Sequence, residues 1–348
     1  MKDAVIVSGA RTPVGRFGGA FKDVSAPDLG SQAIKTALER AGITPDMVDE
    51  VVIGNAVQAA EAGYAARLAS LKSGIPQEVP TIAINRQCSS GLEAINMAAQ
   101  LIRTGEAEIA VAGGTENMSQ VPYMIEYQAR FDGLRMGNST LVDGLTEGLG
   151  CPVNRYHMGV TAENVAERFG VSRKDQDELA FISHQRASTA ASEGRFTNQI
   201  TEIEVPQRRS DPVTVSEDEG PRADTTVESL SVLRPVFKKD GTVTAGNASS
   251  INDGAAAVVM MSAERAAALG LKARMKWHTR GVAGVEPAIM GIGPVPAVKK
   301  ALGKAGMEIG DIDVIELNEA FASQALYCMR ELNLDCLLYT SPSPRDRG

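Results

Sequence analysis

Near the N-terminus the apolar run Ala4–Ser8 stops at Gly9, the pattern of a strand running into a turn. From Pro27 to Ala41, apolar residues recur at Leu29, Ala33, Ile34, Ala37, Leu38 and Ala41. That spacing predicts a helix with Pro27 in its first turn and Gly42 as its C-cap. Val51–Ile53 predicts a short buried strand, and VPTIAIN (79–85) another. From Gly91 onward Leu92, Ile95, Ala98, Ala99 and Ile102 predict a buried helix, and Thr161–Phe169 and Asp175–Ala190 predict two more. Strands alternating with helices predict an α/β architecture.

One pattern occurs twice. AIKTALERAGITPDMVDEVVIGNA from Ala33 returns as AVKKALGKAGMEIGDIDVIELNEA from Ala297, a constant offset of 297 − 33 = 264. A helix–turn–strand unit used twice at that distance points to two similar halves of βαβαβ type, each with its own sheet, not to a solenoid. The N-terminal half is expected over 1–118 plus about 247–268, and a C-terminal half over 269–335. Between them, 119–246 contains RRSDPVTVSEDEGPRADTT and is expected as an inserted, partly loop-built domain that carries binding work.

Composition narrows the function classes. The net charge of −8 over 348 residues argues against a nucleic-acid footprint. No run of 18 apolar residues predicts a membrane span, and MKDAVIVSGARTP makes a poor signal peptide. Cys88, Cys151, Cys328 and Cys336 form no C-x-x-C pair, so neither a disulfide framework nor a metal site is expected, and a reducing, cytoplasmic setting is.

Cys88 lies in NRQCSSGLEAI (85–95), between the strand ending at Asn85 and the helix from Gly91, with Ser89 or Ser90 as N-cap. A helix N-terminus favours a thiolate, and its free N–H groups can hold a developing oxyanion. A buried cysteine acting as a small hydrophobe is the competing reading. The polar flanks, and a glycine that lets another group approach, favour a nucleophile. GARTPVGRFGG lacks the G-x-G-x-x-G spacing of a dinucleotide site, and Pro13 interrupts the expected helix start.

NRQCSSGLEAI resembles the active-site segment of the thiolases, which make or cleave 3-ketoacyl-CoA. GARTPVGRFGGAF (9–21), GGTENMS (113–119), YHMGVTAENVAE (156–167), TAGNASSINDGAAAVV (244–259) and ELNEAFA (316–322) resemble further segments of that family, in order, from about Val5 to about Asn333. The resemblance implies the thiolase-like α/β fold, with CoA thioesters as substrates and no cofactor or metal. It implies Cys88 as the nucleophile and Asn318 as the residue holding an oxyanion-hole water. It places His157, Met158, Leu149, Ala320 and Phe321 at the acyl and pantetheine end. Arg222, Ser229 and Phe237 fall toward the adenine and phosphates, and Ala245, Ala248 and Ser249 along the pantetheine arm. It also implies a homo-oligomer, dimer or tetramer. His184 and His278 match no motif and are expected to be ordinary.

YHMG resembles acetoacetyl-type members and NRQCSSGL longer-chain 3-ketoacyl-CoA thiolases; the expected activity is acetyl-CoA C-acetyltransferase by a ping-pong route. Two segments of the family are missing: a G-H-P histidine, since no histidine follows His278, and a C-x-G-G-G cysteine, a role that neither Cys328 nor Cys336 fits. Residues 336–348, CLLYTSPSPRDRG, lack any periodic pattern and are expected to be an unrelated, disordered tail. The chain is therefore expected to be C-terminally truncated, with an incomplete second half and negligible turnover. A thiolase-fold protein that only binds acyl-CoA is the alternative class.

Overall fold

A computed structural model of the protein describes residues 1–334 and 339–340. They divide into two compact units. Unit one comprises Met1–Gly148, Gln199–Glu219 and Ile251–Trp277; unit two comprises Leu149–Asn198, Gly220–Ser250 and the described part of His278–Gly348. Residues 119–246, expected as one inserted domain, are thus shared between the units.

Unit one is built on a mixed sheet of β1 (Ala4–Arg11), β2 (Glu50–Gly54), β3 (Thr81–Ile84), β4 (Ile109–Asn117), β5 (Asn252–Ser262) and β6 (Met275–Lys276), in the order β6-β1-β5-β4-β2-β3. β2 runs parallel to both β3 and β4, while β5 is antiparallel to β1 and β4. Gly15–Arg16 adds a short strand against β5. Strand side chains alternate between faces, and both faces are covered. Val51, Ile53, Ile109 and Val111 pack with Leu29, Ile34 and Leu38 of helix α1 (Ala26–Ala41). Val52, Ala110 and Ala112 pack instead with Ala94, Ala98, Ala99 and Ile102 of α2 (Ser90–Thr104). The α1 boundaries follow from its caps: Ser25 accepts from Asp28 N, Pro27 sits in the first turn, and Gly42 is left-handed at φ 65°.

Small residues let α2 lie almost on the sheet. A Cβ on Gly54 would overlap the Ser90 backbone, and one on Gly114 would come within 3.4 Å of Gly91 Cα. Leu92, expected in the buried stripe of α2, is 64% exposed, while Glu93 beside it is buried. Ala98, Ala99 and Ile102 of the expected stripe are buried and Ile95 packs against them, so the reading fails at Leu92 alone.

In unit two, α3 (Met158–Phe169) and α4 (Arg173–Ser192) match the two expected helices and begin two or three residues earlier. The internal repeat is physically real. Helix α5 (Pro294–Ala305) ends at left-handed Gly306 (φ 67°), followed by the 3₁₀ turn Ile309–Asp311 and β7 (Ile315–Glu316). Unit one has the same sequence of elements: α1, Gly42, the 3₁₀ turn Pro45–Met47 and β2. A core of Leu179, Val295, Leu317, Ala325, Cys328 and Leu332 joins α4 and α5 to α6 (Ala322–Glu331). β7 pairs in parallel with β8 (Tyr339–Thr340). Part of the expected tail is therefore a strand; Cys336, and with it 335–338 and 341–348, lies outside the described residues.

Candidate active site

Cys88 is exposed and sits between β3 and α2. The turn is tight because Gln87 takes a left-handed φ of 50°, an uncommon conformation for a residue with a side chain. Asn85 holds it: Oδ1 accepts from Gln87 N at 3.0 Å, and Nδ2 donates to Ala56 O at 2.8 Å. Ser90 Oγ accepts from Arg86 N and donates to Gln87 O. Ser89 occupies the N-cap position, but its hydroxyl donates to Arg86 O and makes no capping bond. Both serines thus brace the turn rather than consuming the N–H groups at the helix start.

The helix N-terminus does not by itself yield a thiolate. Desolvation pushes the Cys88 thiol above its ordinary pKa and the charge of Glu116 adds to this, against a lowering by the residue's own backbone N–H. That direction opposes the expected thiolate preference, and the nucleophile needs a proton acceptor. Iodoacetamide alkylation of Cys88 should still climb with pH above about 10, where an ordinary thiol has levelled off. A plateau by about pH 8 would contradict this.

The segments around Cys88 are joined by buried polar contacts. Thr115 Oγ1 donates to Ala26 O, and Asn117 Nδ2 donates to Phe21 O and Val24 O. Ser119 Oγ donates to Asp253 Oδ2 at 2.6 Å. GGTENMS therefore ties the N-terminal segment to β5. The glycine-rich N-terminal loop is already occupied: Val14 N donates to Asp218, and Arg16 N and Ala20 N donate to Glu219. Two carboxylates on those amides leave no cradle for a phosphate.

In unit two the candidate residues cluster. His157 stacks on Phe237 at 4.7 Å with an interplanar angle of 14°, and Phe237 meets Phe321 edge-on at 6.1 Å. His157 is also the N-cap of α3; its Nδ1 accepts from Gly159 N at 2.9 Å, so the ring proton lies on Nε2. Burial lowers its pKa, which keeps it neutral. Gly159 is required because a Cβ there would overlap the Phe237 ring. Met158 N donates to Leu149 O. Ser249 N donates to Ala320 O, Ala322 N donates to Asn247 O, and Ala248 bridges to Phe321. TAGNASS and NEAFA therefore lie side by side. Ala245 and Asn318 are exposed in their loops.

Arg222 is exposed and its N donates to His184 Nδ1, while Ser229 closes a capping box with Thr226. Cys328 is buried, with its thiol pushed up to about 11 by burial, consistent with its exclusion as a catalytic residue.

Sequence reasoning missed Asn247. It accepts from Thr244 N and donates to Thr242 O and to Asp177, the last at 2.9 Å and buried. Its position inside TAGNAS was the available signal. Asn247→Ala should cost about 2–3 kcal/mol of stability in denaturant titration, because it orphans a buried carboxylate contact. A loss under about 0.5 kcal/mol would sink that account.

Two family models match the chain: Thiolase, N-terminal domain over residues 4–264, and Thiolase, C-terminal domain over 271–339. The chain belongs to the thiolase family. It is 51% identical over 336 residues to acetyl-CoA acetyltransferase of Pseudomonas aeruginosa, spanning 96% of this chain and 85% of that protein. The crystal structure of the Bacillus anthracis acetyl-CoA acetyltransferase superposes with a TM-score of 0.94 at 43% identity, covering 97% of this chain and 85% of that one. Human mitochondrial 3-ketoacyl-CoA thiolase in complex with CoA gives 0.92 at 42% identity, covering 97% and 84%. The C-terminal match runs past the expected boundary at Asp335 to residue 339. These matches give no support to a truncated chain with an incomplete second half, or to the inactivity inferred from it. Among the described residues, no helix is long and apolar enough to cross a membrane.

Proposed function

We propose that the protein is an acyl-CoA C-acyltransferase forming or cleaving acetoacetyl-CoA, working in the cytoplasm as a homo-oligomer by a ping-pong route. The observation that carries the reading is the exposed Cys88 on a braced, left-handed turn at the start of α2. The Cys88 thiol gives up its proton and its sulfur attacks the thioester carbonyl; the C–S bond to CoA breaks and CoA leaves as the protonated thiol. A second acetyl-CoA gives up a proton from its methyl carbon, and that carbon attacks the acyl-cysteine carbonyl; the C–S bond to Cys88 breaks and the departing sulfur takes up a proton in net exchange, restoring the thiol. Both bonds exchanged in the first step are thioesters, so it is nearly balanced.

Asn318 would hold a water against the developing oxyanion. His157, Met158, Leu149, Ala320 and Phe321 would line the acyl and pantetheine end, with Ala245, Ala248 and Ser249 along the arm. Arg222 and Ser229 would serve the adenine and phosphates; Phe237, expected with them, stacks on His157 and meets Phe321, so it belongs with the acyl and pantetheine end instead. The Nε2–H of His157 is suited to donate to a carbonyl.

Incubation with acetyl-CoA should leave an acetyl group on the Cys88 peptide, seen by mass spectrometry, and should protect Cys88 from iodoacetamide. Alkylation indifferent to acetyl-CoA, with no adduct on Cys88, would overturn the reading. Similarity to the human 3-ketoacyl-CoA thiolase favours a second substrate range, longer 3-ketoacyl chains; a chain-length series of CoA esters decides between them.

A further inference from the structure

Three segments around Cys88 are linked through one carboxylate. Glu116 on β4 accepts from Asn55 Nδ2 at 2.9 Å, from Ala56 N at 2.7 Å and from Val57 N at 3.3 Å. All three are donors, so the site needs an ionised carboxylate; a carboxamide would turn its own N–H₂ toward at least one of them. Ala56, fixed by its N–H, presents its carbonyl to Asn85 Nδ2 at 2.8 Å. Asn85 then uses its other amide atom to hold Gln87 N at 3.0 Å, in the residue whose left-handed backbone turns the chain into Cys88. The chain Glu116–Ala56–Asn85–Gln87 is unbroken and lies within unit one. A left-handed glutamine persists only where its surroundings over-determine it, and this relay is one such constraint.

We propose that Glu116 is a positioning residue for Cys88, setting the angle of the nucleophile's turn through Ala56 and Asn85. The inference rests on the acyl-transfer reading for its consequence in the reaction, not for the relay itself. Burial pushes the Glu116 carboxyl above its ordinary pKa, with Asp253 as a further negative neighbour, and the Arg86–Glu93 ion pair flanks the turn.

The test compares Glu116→Gln, Glu116→Asp and Asn85→Ala with wild type in two arms. In hydrogen exchange, the amides of residues 85–90 should exchange at least tenfold faster in E116Q and N85A. In the second arm, acetylation of Cys88 by acetyl-CoA should fall about tenfold or more in both. Alkylation by the small reagent iodoacetamide should stay within about threefold, and E116D should recover part of the loss. Asn85 is exposed, so N85A cuts the relay without disturbing the buried carboxylate if E116Q fails to fold. Unchanged exchange in N85A overturns the proposal, and so does a parallel loss of acetylation, alkylation and thermal stability. Faster exchange with a wild type that never acetylates Cys88 upholds the relay and rejects the acyl-transfer reading.

Discussion

Cys88→Ala should lower acetoacetyl-CoA thiolysis by at least about 10³-fold, with Tm within about 2 °C of wild type. The size follows from the role: without the sulfur no acyl-enzyme forms, and losses on removing a covalent nucleophile are of that order or larger. The small change in Tm follows from position, since Cys88 is exposed and fills no core. The turn is held by Asn85 and Ser90, neither of which uses the Cys88 side chain. A steady-state assay with a thermal melt separates the two effects. A variant keeping more than a tenth of wild-type turnover would remove Cys88 from the mechanism, whatever its stability.

The helices were legible where periodicity and caps agree. For α1, six apolar positions, Pro27 and Gly42 together place both ends within one residue. The start of α3 was not, because its cap is His157, outside the usual Ser, Thr, Asp and Asn set, and its first turn contains Gly159. Ser172 and Asp175 did mark the start of α4, since Ser172 accepts from Asp175 N, but apolar spacing alone overlooked it. In α2 the expected stripe holds at Ala98, Ala99 and Ile102 and fails at Leu92, in the first turn, where Ser90 and Gly91 lie against Gly54 and Gly114 of the sheet.

The site was legible as separate motifs but not as contacts. Nothing in GARTPVGRFGG announces that Asp218 and Glu219, some two hundred residues away, hold its amides. That pairing depends on which loop the fold returns to this edge. Nor does YHMG reveal that its glycine answers to Phe237. The repeat was different, because its two copies imply the same local chemistry: a left-handed glycine closing a helix, then a 3₁₀ turn, then a strand. At Tyr339–Thr340, the described part of the tail, composition gave no sign of a strand because it describes a segment alone, whereas that pairing is made by its neighbour β7.

Gly54→Ala should destabilise the protein by about 3 kcal/mol and reduce acyl transfer about 10²-fold. The added Cβ would overlap the Ser90 carbonyl carbon and lie 2.6 Å from Gly91 N and 2.7 Å from Ser90 O. These are backbone atoms, so no flexible side chain can swing away. Overpacking ordinarily costs about 1–3 kcal/mol, and a backbone-on-backbone clash belongs at the upper end. The sheet cannot yield readily either, since β2 is paired on both sides. Relief must come from α2, whose first turn begins two residues after Cys88. A shift of about 1 Å in the nucleophile is enough for about a 10²-fold loss in rate, which is why one methyl group should act on both stability and turnover. Gly42→Ala is the control: its Cβ meets nothing within 4 Å, but φ is 65°, so the cost should be about 1 kcal/mol of backbone strain with normal kinetics. If Gly54→Ala and Gly42→Ala lost activity equally, or if Gly54→Ala lost stability but kept full turnover, the contact between β2 and α2 would not be what fixes Cys88.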